Sequence, residues 1–300
     1  MSATVGVIVN QGKELGRGLE ELRAELARLG HADPPWYEVP KSRKAPARIR
    51  TMIEDDGVDR VVVWGGDGTV RRCIHTVVEG GYDDVTVGIM PAGTANLLAA
   101  NLGIPADLPA AARIAVTGEP RRIDVGVMND QHFAVMAGTG FDALMIRDAD
   151  ERDLKERFGR LGYVWAGWRN TAASGAGFEV EVDGTTWYSG EASGVLVANV
   201  GTVLGGLEAF PEASPTDGRL DIAVIKARTR WEWARVVTST LLGRARRSPL
   251  AEVATAEKAT ITLDRTLPWE VDGGDRERTD RYEVRCVPRA VAVAQPWDEK

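Results

Sequence analysis

Two short apolar runs, each opening through a glycine-rich loop into a helical pattern, restrict this chain to a parallel sheet covered by helices. Arg60-Val61-Val62-Val63-Trp64 leads through Gly65-Gly66-Asp67-Gly68-Thr69 into a stretch expected to be helical to about Glu79. Val85-Thr86-Val87-Gly88-Ile89 leads through Pro91-Ala92-Gly93-Thr94-Ala95-Asn96 into a second helical stretch, Leu97 to Leu102. Ahead of both, Val5 to Val9 reads as a first strand. Leu15, Leu19, Leu22, Leu26 and Leu29 then mark one face of a helix that Gly30 would stop.

Past about Gly126 the pattern turns to β-rich segments: Phe178 to Val182, Gly194 to Val200, Leu220 to Ile225 and Ala259 to Leu263. Asp183-Gly184 and Asp217-Gly218 supply turn chemistry between them. Helical patterns interrupt this half at about 153–171 and 231–247. Residues 1–127 therefore read as an α/β domain and 128–287 as a second, mainly antiparallel domain. A chain of 300 residues, 44% hydrophobic and 27% charged, has the length for two such cores.

Charge and cysteine usage exclude several function classes. The net charge of -7 disfavours wholesale nucleic-acid binding. Cys73 and Cys286 stand alone, without the spacing of a disulfide framework or a zinc site, which fits a reducing cytoplasm. The start, Met1 to Val5, carries no basic segment followed by an apolar one, and no apolar run has the ~18 residues of a membrane span. The expected location is the cytoplasm, with any membrane contact peripheral and at the inner face.

The two loops carry the chemistry. A glycine loop between strand and helix brings bare backbone N–H groups and the positive helix end towards phosphate oxygens. Asp67 would repel a phosphate; its place there makes sense through a Mg²⁺ ion or as acceptor of a substrate hydroxyl proton. The plainer reading is a tight turn with an Asp helix cap. Thr94 and Asn96 sit at the carboxyl end of the next strand, where open α/β sheets bind ligands, and offer a hydroxyl and an amide to ribose or phosphate. Their plainer reading is likewise a helix cap and turn.

Gly-Gly-Asp-Gly-Thr at 65–69 followed by Pro-x-Gly-Thr-x-Asn at 91–96 resembles the diacylglycerol kinase catalytic-domain family, which includes bacterial lipid kinases and is related to the sphingosine kinases. Further matches are Asp124-Val125-Gly126, Gly138-Thr139-Gly140-Phe141-Asp142-Ala143, Leu154 to Tyr163, Asn199-Val200-Gly201 with Gly205-Gly206, and Pro211 through Asp217-Gly218 to Asp221. The resemblance spans nearly the whole chain. It implies a Rossmann-like nucleotide-binding domain, a β-sandwich-like second domain, and a return of 288–300 to the first. It also implies transfer of the γ-phosphate of ATP, with Mg²⁺, to the hydroxyl of a diacylglycerol-like lipid alcohol at a cleft between domains, with peripheral membrane contact and room for a homodimer. Under it Asp67 and Asp272 are the catalytic carboxylates. Asn10, Lys13, Gly65, Gly66, Gly68, Thr69, Gly93, Thr94 and Asn96 serve the nucleotide, and Asp217 is a structural Mg²⁺ ligand.

The chain departs from that pattern at four places. Asn10-Gln11-Gly12-Lys13 is a shortened form of the usual Asn-Pro-x-Ser-Gly loop, and Lys13 can still reach towards phosphates. Arg71-Arg72 replaces an Asn-Glu pair, and Leu97 replaces a frequent Asp. Asp272-Gly273-Gly274 stands where the family has Asp-Gly-Glu, so its proposed carboxylate base is absent at 274. Two alternatives stay open: a weak or inactive member that binds nucleotide or lipid, and a small-molecule kinase of the NAD kinase type, which shares the Gly-Gly-Asp-Gly-Thr loop. Lys41, Arg43, Lys44, Arg48 and Arg50 read as a solvated basic run or as contacts to anionic headgroups or ATP. Trp165 and Trp168 read as core residues or as a membrane-facing pair.

Overall fold

The computed structural model describes residues 3–140, 175–203, 207–241 and 248–297, and within it the chain forms two compact units, 1–123 with 289–300, and 124–288. The expected helix at 153–171, with Trp165 and Trp168, lies outside the described residues.

The first unit is a βα alternation. Its elements are β1 (Val5–Asn10), α1 (Leu19–Arg28), β2 (Trp36–Val39), α2 (Ala45–Glu54), β3 (Arg60–Gly65), α3 (Asp67–Glu79), β4 (Thr86–Pro91), α4 (Leu97–Asn101) and α5 (Leu108–Thr117). The strands lie parallel in the order β4-β3-β1-β2, with Val5 opposite Arg60 and Arg60 opposite Thr86. Every residue of β1, β3 and β4 is buried, as continuous Val/Ile runs covered on both faces require. Residues 289–295 add one more parallel strand, Ala292 facing Thr86.

Helices cover this sheet by their apolar faces. α1 buries Leu22 and Leu26, and α3 buries Val70, Cys73, Ile74 and Val77, each side chain contributing roughly 1–3 kcal/mol. α5 lies so close on β4 that a Cβ on Gly88 would meet the carbonyl oxygen of Ala115 at 2.5 Å. Arg60 stays buried because its Nη1 donates to the carbonyls of Ala115 and Gly118, at 3.3 and 3.2 Å, satisfying the end of α5.

The second unit is antiparallel. Its elements run from β5 (Glu119–Met128), which begins in the first unit, through β6 (Gln131–Phe133), β7 (Met136–Gly140), β8 (Ala176–Val182), β9 (Thr185–Ala192) and β10 (Gly194–Ala198). The short β11 (Thr202–Val203) and β12 (Leu207–Glu208) follow, then β13 (Leu220–Ile225), α6 (Arg230–Leu241), β14 (Ala251–Ala256), β15 (Lys258–Val271) and β16 (Gly274–Gln295). The strand order β14-β13-β10-β7-β15-β16, with β8 and β9 branching from β15, encloses a core of Phe133, Phe178, Val195, Ile222, Ile261, Trp269 and Tyr282. Tyr282 is fully buried, yet its hydroxyl lies 2.9 Å from Thr139 Oγ1 and 3.1 Å from the Leu267 carbonyl it donates to. Burial pushes that phenol up to about 12.

This is the mixed α/β architecture with a β-sandwich-like second domain that the sequence predicts. Among the described residues no helix is long and apolar enough to cross a membrane.

Candidate active site

The two glycine loops of the first unit touch backbone to backbone. A Cβ on Gly66 would lie 2.9 Å from the Cα of Gly93, and one on Gly93 would crowd Gly66 more closely still. The Ala92 N–H donates to the Gly65 carbonyl at 3.0 Å, so the β3–β4 pairing runs into the loops. No side chain larger than hydrogen fits at either glycine while this contact stands. Gly65 is required for a different reason, since its Cβ would come within 2.5 Å of Thr69 Cβ. Gly68 differs from the other three: nothing lies within 4 Å of where its Cβ would point. That leaves open space at the first turn of α3, the end of the helix whose dipole favours an anion.

Asn10 and Lys13 flank this pair. Asn10 is buried at the end of β1; its Nδ2 donates to Thr69 Oγ1 at 2.9 Å and its Oδ1 accepts from the Gly12 N–H at 3.2 Å. Trp64 Nε1 donates to the Lys13 carbonyl at 3.0 Å. The exposed Lys13 side chain then passes the glycine loop, its Cε 4.0 Å from the Cβ position of Gly66. Asn10 and Thr69 thus lock the end of β1 to α3, and Lys13 brings the positive charge.

Asp67 opens α3 and is partly buried. Its Oδ1 accepts from the Leu98 N–H at 3.4 Å, so its carboxylate points at the start of α4, not along its own helix. Burial raises its pKa, and backbone N–H groups of Leu98, Leu97, Asp67 and Asn96 oppose that rise. A carboxyl that burial raises above its ordinary value, with a lysine on the neighbouring loop, is a better proton acceptor than an exposed aspartate.

Asn96 has a local task. In left-handed backbone at φ 49°, its Oδ1 accepts from the Gly93 N–H at 2.8 Å, and its Nδ2 donates to the Pro91 and Gly93 carbonyls at 2.8 and 2.9 Å. It staples the second loop, and Thr94 beside it is exposed.

The second unit gives Asp272 a different role from the one sequence reasoning assigns. Asp272 and Gly273 form the turn between β15 and β16, both at positive φ (43° and 76°), as a two-residue hairpin requires. Its carboxylate takes three backbone N–H bonds across the fold, from Ala134 (2.9 Å), Val135 (3.1 Å) and Met136 (2.8 Å). Lone pairs so committed are poorly disposed to take a substrate proton, and Asp272 is a clamp on the entry to β7. Gly274 carries no positive φ; a Cβ there would meet Arg276 Nη1 at 3.2 Å and the Val271 carbonyl at 3.3 Å.

Asp217 is likewise accounted for by its turn. It is exposed, its Oδ1 accepts from the Arg219 N–H at 2.9 Å, and Gly218 follows at φ 76°. Among the described residues no three His, Cys, Asp or Glu side chains gather to hold a metal. The Mg²⁺ role that the resemblance assigns to Asp217 would rest on this one exposed carboxylate with backbone carbonyls and water.

Asp124 and Asn199 are role-bearing residues that motif reading recorded without a role. Buried Asp124 accepts from the Gly218 N–H at 2.6 Å, and Asn199 Nδ2 donates to the carbonyls of Asp124 (2.9 Å) and Ala134 (3.0 Å). Asp124, Asn199 and Gly218 are far apart in sequence, and only their shared membership in the family's motifs could have paired them.

Two family models match the chain. The diacylglycerol kinase catalytic domain model matches residues 4–128, and the YegS C-terminal NAD kinase beta sandwich-like domain model matches 135–295. A diacylglycerol kinase of Mycobacterium tuberculosis is 29% identical over 94% of this chain and 91% of its own length. A probable YegS-like lipid kinase of Klebsiella pneumoniae is 30% identical over 80% of this chain and 79% of its own. The crystal structure of a putative diacylglycerol kinase from Bacillus anthracis superposes with a TM-score of 0.83, covering 98% of this chain and 95% of that one at 22% identity, which shows a shared fold.

Proposed function

The chain belongs to the diacylglycerol kinase catalytic-domain family, with the YegS-type second domain, and from that premise we propose that it transfers the γ-phosphate of ATP to the hydroxyl of a diacylglycerol-like lipid. It is a lipid kinase, a phosphotransferase. The observation that carries the finer reading is the backbone contact of Gly66 with Gly93, which brings two strand-to-helix loops together beside Lys13 and Asp67.

Phosphoryl transfer depends mainly on positioning and charge neutralisation. The N–H groups at the start of α3, with the open space at Gly68, would receive phosphate oxygens, and Lys13 would offset their charge. Asn10, Thr69 and Asn96 hold these loops in shape. Asp67 would accept the proton of the attacking hydroxyl. In the alternative role, Asp67 would instead hold a Mg²⁺ ion arriving with the nucleotide, which would supply charge neutralisation on the phosphates. With Asp272 committed to backbone N–H groups and Gly274 lacking a carboxylate, base duty rests on Asp67.

Gly274 also favours a second reading, a member that binds nucleotide or lipid and turns over slowly. Radiolabelled phosphate transfer from Mg-ATP to diacylglycerol in mixed micelles tests the first reading, with monoacylglycerol, a sphingoid base and NAD as parallel acceptors. Transfer to diacylglycerol is the expected result. Transfer to NAD alone would identify a small-molecule kinase. Inert acceptors with ATP binding confirmed would establish the binder.

A further inference from the structure

A lipid kinase without a membrane-crossing helix among its described residues must reach its substrate from the bilayer surface, and the second unit presents a side chain suited to that contact. Trp231 is 80% exposed, and among the described residues the other exposed large apolar side chain is Trp297, at 45% and covered by the Arg113 guanidinium 5.4 Å from its ring centroid. Exposure at that level leaves the ring of the largest apolar side chain in water and available to a partner.

Trp231 is not exposed because a helix end is frayed. Thr229 and Glu232 form a reciprocal cap at the start of α6. The Glu232 N–H donates to Thr229 Oγ1 at 3.3 Å, while Glu232 Oε2 accepts from the N–H groups of Thr229 and Arg228, at 2.9 and 2.7 Å. The cap fixes the first turn, and with it the direction of Trp231. One and two turns along, Arg235 and Thr238 are exposed on the same face, while Val236 and Thr240 on the opposite face are buried. α6 is thus anchored by one side and offers an aromatic ring next to a cation on the other.

Charge selects the occupant. From Lys226 to Leu241 the sequence holds Lys226, Arg228, Arg230 and Arg235 against one acid, Glu232, whose carboxylate is occupied by the cap, in a protein of net charge -7. Lys226 and Arg228 pair with Glu252 and Glu191; Arg235 is exposed beside the Trp231 face. An exposed tryptophan one helical turn from the exposed Arg235, on a protein of net negative charge, matches the headgroup region of an anionic bilayer, where amphipathic rings and cations both gain. We propose that the Trp231–Arg235 face of α6 docks the protein on anionic lipid. This rests on the lipid-kinase reading for its purpose, but its test does not depend on turnover.

The test is partition of the full chain into vesicles of phosphatidylcholine with or without phosphatidylglycerol, by flotation, for the wild type, Trp231→Ala, Trp231→Phe and Arg235→Glu. Because Trp231 is so exposed, the variants should keep the parent's melting temperature. Expected are binding to the anionic vesicles, a roughly tenfold loss in Trp231→Ala, the scale set by forgoing burial of a large apolar side chain, and near-wild-type binding in Trp231→Phe. Arg235→Glu should also weaken binding, and brominated lipid should quench wild-type fluorescence more than that of Trp231→Phe. Unchanged partition in Trp231→Ala, or equal quenching in wild type and Trp231→Phe, would overturn the proposal and leave the face to a protein partner or a second copy. Transfer of phosphate to micelle-dispersed diacylglycerol is measured separately. Failure there with vesicle binding intact would count against the kinase reading and not against docking.

Discussion

The chain uses the dipeptide Asp-Gly at both places where the resemblance puts a catalytic carboxylate, and the two differ in what surrounds the acid. At Asp67-Gly68 the carboxylate is partly buried, raised in pKa by burial, and accepts from the Leu98 N–H at a long 3.4 Å. At Asp272-Gly273 it takes three N–H bonds of 3.1 Å or less and holds the β15–β16 turn to the entry of β7. The dipeptide is the same but the setting differs: Asp67-Gly68 opens a helix, its carboxylate near four backbone N–H groups yet raised by burial, whereas Asp272-Gly273 turns a hairpin at positive φ and holds three short N–H bonds.

The largest expected effect is on Asp67. Asp67→Asn should lower phosphate transfer by about 10²–10⁴-fold, the usual scale of general-base assistance. Because burial raises the carboxyl, its ionised form is disfavoured by folding, so Asp67 contributes stability at acid pH that is lost as pH rises through its folded value. Asp67→Asn should therefore melt no lower than wild type at neutral pH. The acid limb of the rate profile should likewise lie above the ordinary aspartate range. Wild-type rate in the variant would remove Asp67 from catalysis.

Gly274→Glu comes next. With ordinary φ at 274, a 3.2 Å contact that the Arg276 side chain can relieve and a 3.3 Å contact to the Val271 carbonyl that needs a shift of a few tenths of an ångström, the variant should fold, and the restored carboxylate should raise turnover by up to about 10²-fold. No gain in a folded variant would mean that Asp67 alone suffices. Smaller again, Gly93→Ala should cost about 1–3 kcal/mol by forcing the two loops apart, and should abolish the rise in melting temperature that Mg-ATP gives the parent. A thermal scan with and without nucleotide reads both; an unaltered nucleotide-induced shift would show that the loop contact is not part of the site.

The paired loops are legible in the sequence because they are local: strand, glycine, helix in unbroken succession, so β3, β4 and α4 begin within a residue of the pattern, and α3 begins three residues earlier, at Asp67 inside the glycine loop. β2 and α2 were missed because the run from Lys41 to Arg50 reads as charge, while the structure shows α2 burying Ala45, Ile49 and Met52 on one face with the basic side chains on the other. α5, alanine-rich and opened by Asp107-Leu108-Pro109, lacks strong periodicity; its cap, Asp107 accepting from the Ala110 N–H, was the available signal. The role of Asp272 was not legible at all. Its partners lie 136–138 residues earlier, and a carboxylate that receives three N–H groups looks, in sequence, the same as one that receives a proton.

The most direct test of this contrast is to measure kcat and melting temperature together for Asp67→Asn and Asp272→Asn, assaying below the melting point of both. The account predicts a crossing. Asp67→Asn loses turnover and keeps its melting temperature, whereas Asp272→Asn drops by several degrees, the effect of roughly 1–3 kcal/mol from impaired charged hydrogen bonds, and keeps kcat within a few-fold of wild type. Full turnover in Asp67→Asn together with an inactive, fully stable Asp272→Asn would contradict it.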